Sequence, residues 1–416
     1  MSDPVGVLAW RCAVCGTTVD IATPYVFRCP RSSPADHRHV LHPVTTPTAP
    51  APLEDPNPVV AFGPRMAWWA FAAAHGMTEA ARIALAREVA RGFAVTPLVR
   101  HWIPVGGRDV AVWIKDETGN VGGSHKSRHL VGALLHLRAA AALGLAPDRT
   151  TAPLAIASCG NAAIAAATLA QQAEWPLQVF VPEWASPTVL SMLEGVGASI
   201  TVCARREADP PGDPAILRFR ESVAAGALPF TVQGPENATC LDAGRTIGWE
   251  MAEAFGDADG SGRLDRTVVQ VGGGALATCV GWGLGPGVRL DSVQAQGCAP
   301  LARAWWRSQD LGLPPSRIPQ RWIELMTAWE RPQSVADGIM DDETYDWLGV
   351  FEVMQASGGR PLVAPEEAIV EAASLGAATG IPVSHTGAAG LAGLLVPEGA
   401  AAEGEQVAVV FSGVAL

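Results

Sequence analysis

Only two of the 29 basic side chains are lysines, Lys115 and Lys126. Chemistry that needs a primary amine therefore has two candidates, and Lys126 is the better placed. It lies in Gly122-Gly-Ser-His-Lys-Ser-Arg128, a glycine-rich turn directly before an Ala/Leu-rich helical run over residues 129–145. An amine at a helix start among apolar residues has a depressed pKa, as Schiff-base chemistry requires. The competing reading is a solvated surface lysine, which is weakened because arginine replaces lysine almost everywhere else.

Three loops follow strand-like runs and could hold anions on free backbone N–H groups. Gly272-Gly273-Gly274-Ala275 suits a phosphate or, equally, a plain tight turn; it lacks both the Gly-Lys-Ser/Thr and the Gly-x-Gly-x-x-Gly patterns. Ser158-Cys159-Gly160-Asn161 offers N–H groups to a carboxylate and the Asn161 amide to a phenolic or carbonyl oxygen, with simple helix capping as the alternative. Ser412 emerges from the run 406–411 as a hydroxyl at a strand end, or as a turn residue. Near the start, Cys12-x-x-Cys15 is half of a zinc ribbon and Cys29 a third thiol. The fourth ligand must come from His37, His39 or His42, and the expected set is Cys12, Cys15, Cys29 and His37.

The elements that position these groups alternate short β-rich runs with Ala-rich helices, the pattern of parallel sheets covered on both faces. Strands are predicted at 154–157, 177–181, 199–203, 267–271, 290–294 and 406–411, with a helix over 161–173 and another opening at Ser186-Pro187. Residues 1–42 form a small Cys/His-containing segment, and 43–58, with six prolines in sixteen residues, a linker that neither coils nor pairs. Residues 59–416 form the main body. The tryptophans between 305 and 347 read as core or interface. His385 precedes a helix and reads as a capping or packing residue.

Forty-one acidic residues against 29 basic ones give a net charge of -12, which disfavours nucleic-acid partners. No apolar run reaches the ~18 residues of a membrane span, and no basic leader opens the chain, so a cytoplasmic protein with no membrane partner is expected. Eight cysteines are too sparse for a disulfide scaffold.

Taken in order, Lys115-Asp-Glu117, Gly123-Ser-His-Lys-Ser-Arg128, Ser158-Cys-Gly-Asn161, Gly272-Gly-Gly-Ala275 and Phe411-Ser-Gly413 resemble the fold type II pyridoxal-phosphate enzymes, the tryptophan synthase β-like family. The resemblance runs from about Thr96 onward. It implies two parallel-sheet α/β domains with the cofactor in the cleft between them, the smaller over about 126–232 inserted in the larger. It also implies that Lys126 carries pyridoxal 5'-phosphate, that Gly272, Gly273, Gly274 and Ala275 cradle its phosphate, and that Asn161 bonds the ring hydroxyl. Ser158, Cys159, Gly160 and Asn161 hold the substrate carboxylate, and Ser412 faces the pyridine nitrogen. A hydroxyl there makes the ring a mild electron sink, suited to elimination or replacement at the β or γ carbon.

Within the family the chain resembles threonine synthase most, through Gly297-Cys-Ala-Pro300, Thr246-Ile-Gly-Trp-Glu250 and the cysteine-bearing start. It departs from that pattern in reading Ser124-His-Lys-Ser-Arg128 around the lysine. Its His-Lys pair resembles tryptophan synthase β, whereas Ser158-Cys-Gly-Asn161 replaces the loop used there for indole. A phosphorylated substrate needs extra cations, for which Lys115, Arg128, Arg245 and Arg360 are candidates. The expected activity is that of a pyridoxal-phosphate lyase or synthase on a small amino acid, working as a homodimer or a monomer. The alternatives are a serine/threonine ammonia-lyase and a catalytically idle fold relative acting as a binding module.

Overall fold

The computed structural model describes residues 5–33, 35–145, 152–210, 212–256 and 263–415; the start of the chain read above falls partly on residues 1–4, outside this set. The first strand, β1 (Val7–Cys12), pairs antiparallel with β2 (Thr18–Asp20) on one side and β3 (Leu41–Thr45) on the other. Here the expectation for residues 43–58 is corrected, because Pro43, Val44 and Thr45 pair with Trp10, Ala9 and Val7. β3 is an edge strand, where a missing proline N–H removes no ladder bond. The same stretch also ends in a short helix, Pro58–Ala61, with proline in its first turn and the Asn57 side chain accepting from Val59 N.

Two sheets form the body. In chain order the strands are β4 (Leu98–Val105), β5 (Arg108–Asp116), β6 (Leu154–Ala157), β7 (Leu177–Pro182), β8 (Ser199–Cys203), β9 (Leu228–Pro229), β10 (Arg266–Gln270), β11 (Arg289–Ala295), β12 (Pro361–Ala364) and β13 (Val407–Phe411). The larger sheet runs β12-β11-β10-β13-β5-β4 and the smaller β8-β7-β6-β9. All pairings are parallel except β4 with β5. The two α/β sheets expected are present, and a hairpin adds the antiparallel edge strand β4 to the larger one. β10 and β13 are buried along their whole length, and β13 accordingly reads as an unbroken apolar run.

The helix Lys126–Ala142 starts three residues before the predicted run and is buried almost all round. Gly122 and Gly123, at φ +68 and +70, make the tight turn that aims its first residue. A Cβ on Gly132 would lie 2.7 Å from Ala243 Cβ, so its absence lets this helix press onto the segment Cys240–Ala243. Trp305, Trp322 and Trp347 are core residues, edge-packed in a chain with Phe351, while Trp306 faces outward. Among the described residues no helix is long and apolar enough to cross a membrane.

Candidate active site and metal cluster

The predicted loops converge on Lys126. Ser124 bridges Gly413 at the end of β13, and Asn161 Nδ2 donates to Val414 O at 3.4 Å, so the loop after β6 meets the end of β13 across the cleft. Lys126 opens its helix and is partly open to this cleft. Burial lowers its pKa, with Asp341, Cys240 and Asp346 acting in the opposite direction. The Asn161 Oδ1 and Ser124 Oγ atoms are buried with no hydrogen-bond partner. Buried polar atoms are rarely left so, and they mark where a polar ligand belongs.

Gly272, Gly273 and Gly274 lie between β10 and the helix Ala275–Leu284, with Gly274 at φ +96 as the residue before the helix. A Cβ on Gly272 would meet Asp341 Oδ2 at 2.6 Å and Ile339 Cα at 2.8 Å, so only glycine leaves this cradle open. The Asp341 carboxylate lies against this loop, and the neighbouring Gly273 N–H and Tyr345 hydroxyl both act to lower its pKa. Burial lifts Asp341 to about 6, opposed by Lys126 and reinforced by Asp342. Deeper in, Asp346 accepts from Gly234 N at 3.2 Å, and burial lifts it to about 7.

Two histidines line the same wall. His125 Nδ1 lies 2.9 Å from Ser412 O, and His129 Nδ1 2.9 Å from Cys240 O. A carbonyl only accepts, so in both rings Nδ1 carries the proton. Burial, with Lys126 adding to it, holds His125 well below its usual pKa and His129 at about 4, so both are neutral at pH 7. The Ser412 hydroxyl oxygen accepts from Gln270 Nε2 at 2.8 Å. The loop Ser158–Asn161 stands at the start of the helix Asn161–Gln172, and burial lifts the Cys159 thiol to about 11, with Asp213 and Asp337 adding to the effect.

The four cations proposed for a second phosphate are all engaged elsewhere, which corrects that expectation. Arg128 forks onto Glu117, Nε to Oε2 at 2.8 Å and Nη2 to Oε1 at 2.9 Å, and also pairs with Glu250. Lys115 donates to Thr96 O at 2.7 Å and pairs with the same Glu250. These two cations and two carboxylates have essentially no exposed side-chain surface and cancel one another's charge. Arg245 pairs with Asp242, and Arg360 donates to Glu398 O.

The amino-terminal cluster consists of Cys12, Cys15, Cys29 and His39, whose ligand atoms all lie within 4.8 Å of one another. His39, and not His37, therefore supplies the nitrogen. Leu41 pairs with Cys12 in the sheet, which leaves His39 just beyond that thiol; His37 lies two residues, about 7 Å, further along an extended chain. His39 Nδ1 is 3.4 Å from Cys12 Sγ, and its Nε2 faces Asp36 Oδ2 at 3.5 Å. Three thiols and one imidazole held on its far side by a carboxylate suit a tetrahedral zinc. Burial pushes the Cys15 thiol up, but hydrogen bonding to Thr17, Cys12 and Cys29 outweighs it and brings the pKa down to about 6. His42 lies apart, against Glu352 and Trp282.

Sequence reasoning missed Asp341, Tyr345 and Asp346, which lie in the stretch between 305 and 347 that read only as Trp-rich core or interface. It also missed Gln270, hidden inside an apolar strand. The residues present nevertheless fit pyridoxal phosphate: a lysine of lowered pKa, a glycine cradle that a Cβ would close, and unpartnered buried oxygens at Asn161 and Ser124.

Comparison with known proteins agrees with this fit. The profile of the family described as pyridoxal-phosphate dependent enzyme matches residues 89–413. No curated protein matches significantly. Among solved structures, maize serine racemase superposes with a TM-score of 0.60 at 17% identity, covering 80% of this chain and 92% of its own. A threonine deaminase of T.th. gives 0.58 at 22%, covering 80% and 96%. L-serine ammonia-lyase from Rhizomucor miehei gives 0.59 at 17%, covering 77% and 94%. At these identities the structures share the fold, and with the profile spanning most of its length the chain belongs to the pyridoxal-phosphate-dependent enzyme family.

Proposed function

We propose that the chain catalyses pyridoxal-phosphate-dependent elimination at the β carbon of a small amino acid, with serine or threonine as the simplest substrates, releasing ammonia and a 2-oxo acid. The observation that carries this reading is the engagement of Lys115, Arg128, Arg245 and Arg360 in ion pairs and backbone contacts of their own. A phosphorylated side chain finds none of them free. Two solved structures of the same fold are named threonine deaminase and L-serine ammonia-lyase.

Pyridoxal phosphate, when bound, supplies a ring that draws electron density from the substrate α carbon. The chain's own groups do the rest. Lys126, whose pKa burial lowers, takes the α proton on Nζ. The amides of Ser158 to Asn161 hold the substrate carboxylate at a helix N-terminus. Asn161 offers its amide to the ring hydroxyl, and Gly272 to Ala275 hold the phosphate on backbone N–H groups. Gln270 takes one lone pair of the Ser412 oxygen, which directs the hydroxyl hydrogen outward to the ring nitrogen. The neutral His125 and His129 add no charge to this wall.

A second reading, replacement at the γ carbon as in threonine synthase, is favoured by the Cys12, Cys15, Cys29 and His39 cluster together with the Gly297-Cys-Ala-Pro300 turn after β11. Product analysis separates the two. The holoenzyme with serine or threonine is expected to give a 2-oxo acid and ammonia. Threonine and inorganic phosphate formed from O-phosphohomoserine would establish the second reading, and a protein without visible cofactor absorption would be an idle relative.

A further inference from the structure

Residues 233–240 touch three parts of the molecule that are far apart in sequence: the glycine cradle, the Lys126 helix and the amino-terminal metal cluster. On the first side, Gly234 N–H donates to the Asp346 carboxylate at 3.2 Å, and Asp346 N–H donates to Gly273 O at 2.7 Å. A Cβ on Gly234 would lie 2.1 Å from Asp346 Oδ1, so only glycine lets the segment come this close. On the second side, Cys240 O accepts from His129 Nδ1 at 2.9 Å, one turn along the helix that Lys126 opens. Residues 236–240 are buried throughout, and in a close-packed interior they shift only by moving a neighbour.

The third side faces the metal cluster. Cys29, one of the three thiols, follows directly on Phe27 and Arg28. Phe27 O accepts from Ala238 N–H at 2.8 Å, and Arg28 pairs with Glu236, whose side chain is 2% exposed. Arg220 holds the other oxygen of Glu236, with Nε at 2.8 Å and Nη2 at 2.6 Å. Asn237 anchors the same turn by donating from its amide to Pro229 O at 2.6 Å, at the end of β9. None of these contacts is needed to hold a metal ion. They tie the residues just before a metal ligand to the middle of a strap whose two ends brace the cofactor cleft.

We infer that the Cys12, Cys15, Cys29 and His39 cluster governs how tightly the chain retains its cofactor, with Arg28 and Glu236 as the positioning pair that carries the effect. A metal closed in by four ligands fixes Cys29, and with it the Phe27 carbonyl and the Arg28 guanidinium. These hold residues 236–238. Gly234 and Cys240, on either side, then hold the Gly273 loop and the Lys126 helix in one relative position. With the cluster emptied, the strap loses its outer anchor, and the cradle and the lysine lose their common brace. Coupling through such a network of hydrogen bonds and ion pairs is reciprocal, so a metal that tightens the cofactor is itself tightened by it to the same degree. The coupling holds whichever amino acid is processed.

Binding titrations with pyridoxal phosphate, read from the visible absorption, test this without any turnover. The full chain, freed of cofactor, is titrated with zinc in place and again after a chelator has removed it. The zinc-loaded form is expected to bind the cofactor about 10-fold tighter, inside the ~5–150-fold of typical coupling between sites. Competition with the chelator is expected to show zinc held tighter by the same factor once pyridoxal phosphate is bound. Arg28→Met is expected to keep about one zinc per chain, the stoichiometry of a closed site, and to lose most of both effects. Glu236 keeps Arg220 in that variant, so no buried carboxylate is left unpaired. Equal cofactor affinities with and without zinc, undiminished coupling in Arg28→Met, or a chain that binds no zinc overturn the inference. If the zinc-free chain unfolds, the parent and Arg28→Met are compared with zinc in both; weaker cofactor binding by the variant is expected, and equal affinity overturns the inference.

Discussion

Gln270 Nε2 donates to Ser412 Oγ at 2.8 Å and to Gly387 O at the same distance, which uses both of its hydrogens. The Ser412 hydroxyl hydrogen is left free for another acceptor. Ser412→Ala is expected to leave the protein folded and to slow turnover ~10–100-fold, the scale of one hydrogen bond of about 1.4–2.7 kcal/mol. Steady-state kinetics beside a denaturation curve checks this, and wild-type turnover would reduce Ser412 to a turn residue.

The two lysines are expected to fail in different ways. Lys126→Ala abolishes the visible absorption of bound cofactor with the fold intact. Lys115→Met keeps the absorption but destabilises the chain, because Glu250 loses a buried partner. Breaking such a pair costs about 3–5 kcal/mol, and Arg128, which stays on Glu250, places the loss toward the lower end. Absorption spectra and urea midpoints of the two variants give the answer, and an unchanged spectrum in Lys126→Ala rejects the cofactor assignment.

For the amino-terminal cluster, elemental analysis is expected to find about one zinc per chain, the stoichiometry of a closed four-ligand site. Cys12→Ser and His39→Ala are expected to remove it, and His37→Ala to keep it. Loss of zinc in His37→Ala alone would reverse the ligand assignment.

Asp346 gives a pH test with a definite sign. Its carboxyl titrates at about 7 when folded, because of burial, against ~3.9 in an unfolded chain. Its contribution to stability is therefore present at low pH and lost as pH rises through about 7. His129 and His136, both depressed to about 4 by burial, act oppositely and cost stability as pH falls below ~6.5. Asp346→Asn removes the first effect only. Relative to the parent, the variant is expected to gain stability between pH ~4 and ~7.5, by up to ~1.4 kcal/mol per unit. Urea denaturation at a series of pH values measures the difference, and a constant difference would mean that Asp346 ionises normally.

Lys126, the loops at 158–161 and 272–275, and Ser412 were legible because each follows or precedes an apolar run that can only be a buried strand or helix. The positions where such runs end are where parallel sheets present free N–H groups. Asp341 and Asp346 were not legible. They lie in a stretch without periodicity, and only its folding over the glycine cradle removes them from water. The choice of His39 over His37 needed the pairing of Leu41 with Cys12, a register that spacing alone does not give. The hairpin of β4 and β5 escaped because His101, Pro104 and the paired glycines 106 and 107 break up its alternation.

β13 lies in the middle of the larger sheet, between β10 and β5, although it is the last strand in the chain. During synthesis the β5 hairpin and the β10–β12 group therefore exist as two halves with unpaired inner edges. They become one sheet only when residues 407–411 slot between them and carry Ser412 to the Lys126 turn. Closure of the sheet and completion of the cofactor pocket are one folding event, late and dominated by long-range contacts. A nascent chain short of β13 presents two open strand edges to its neighbours.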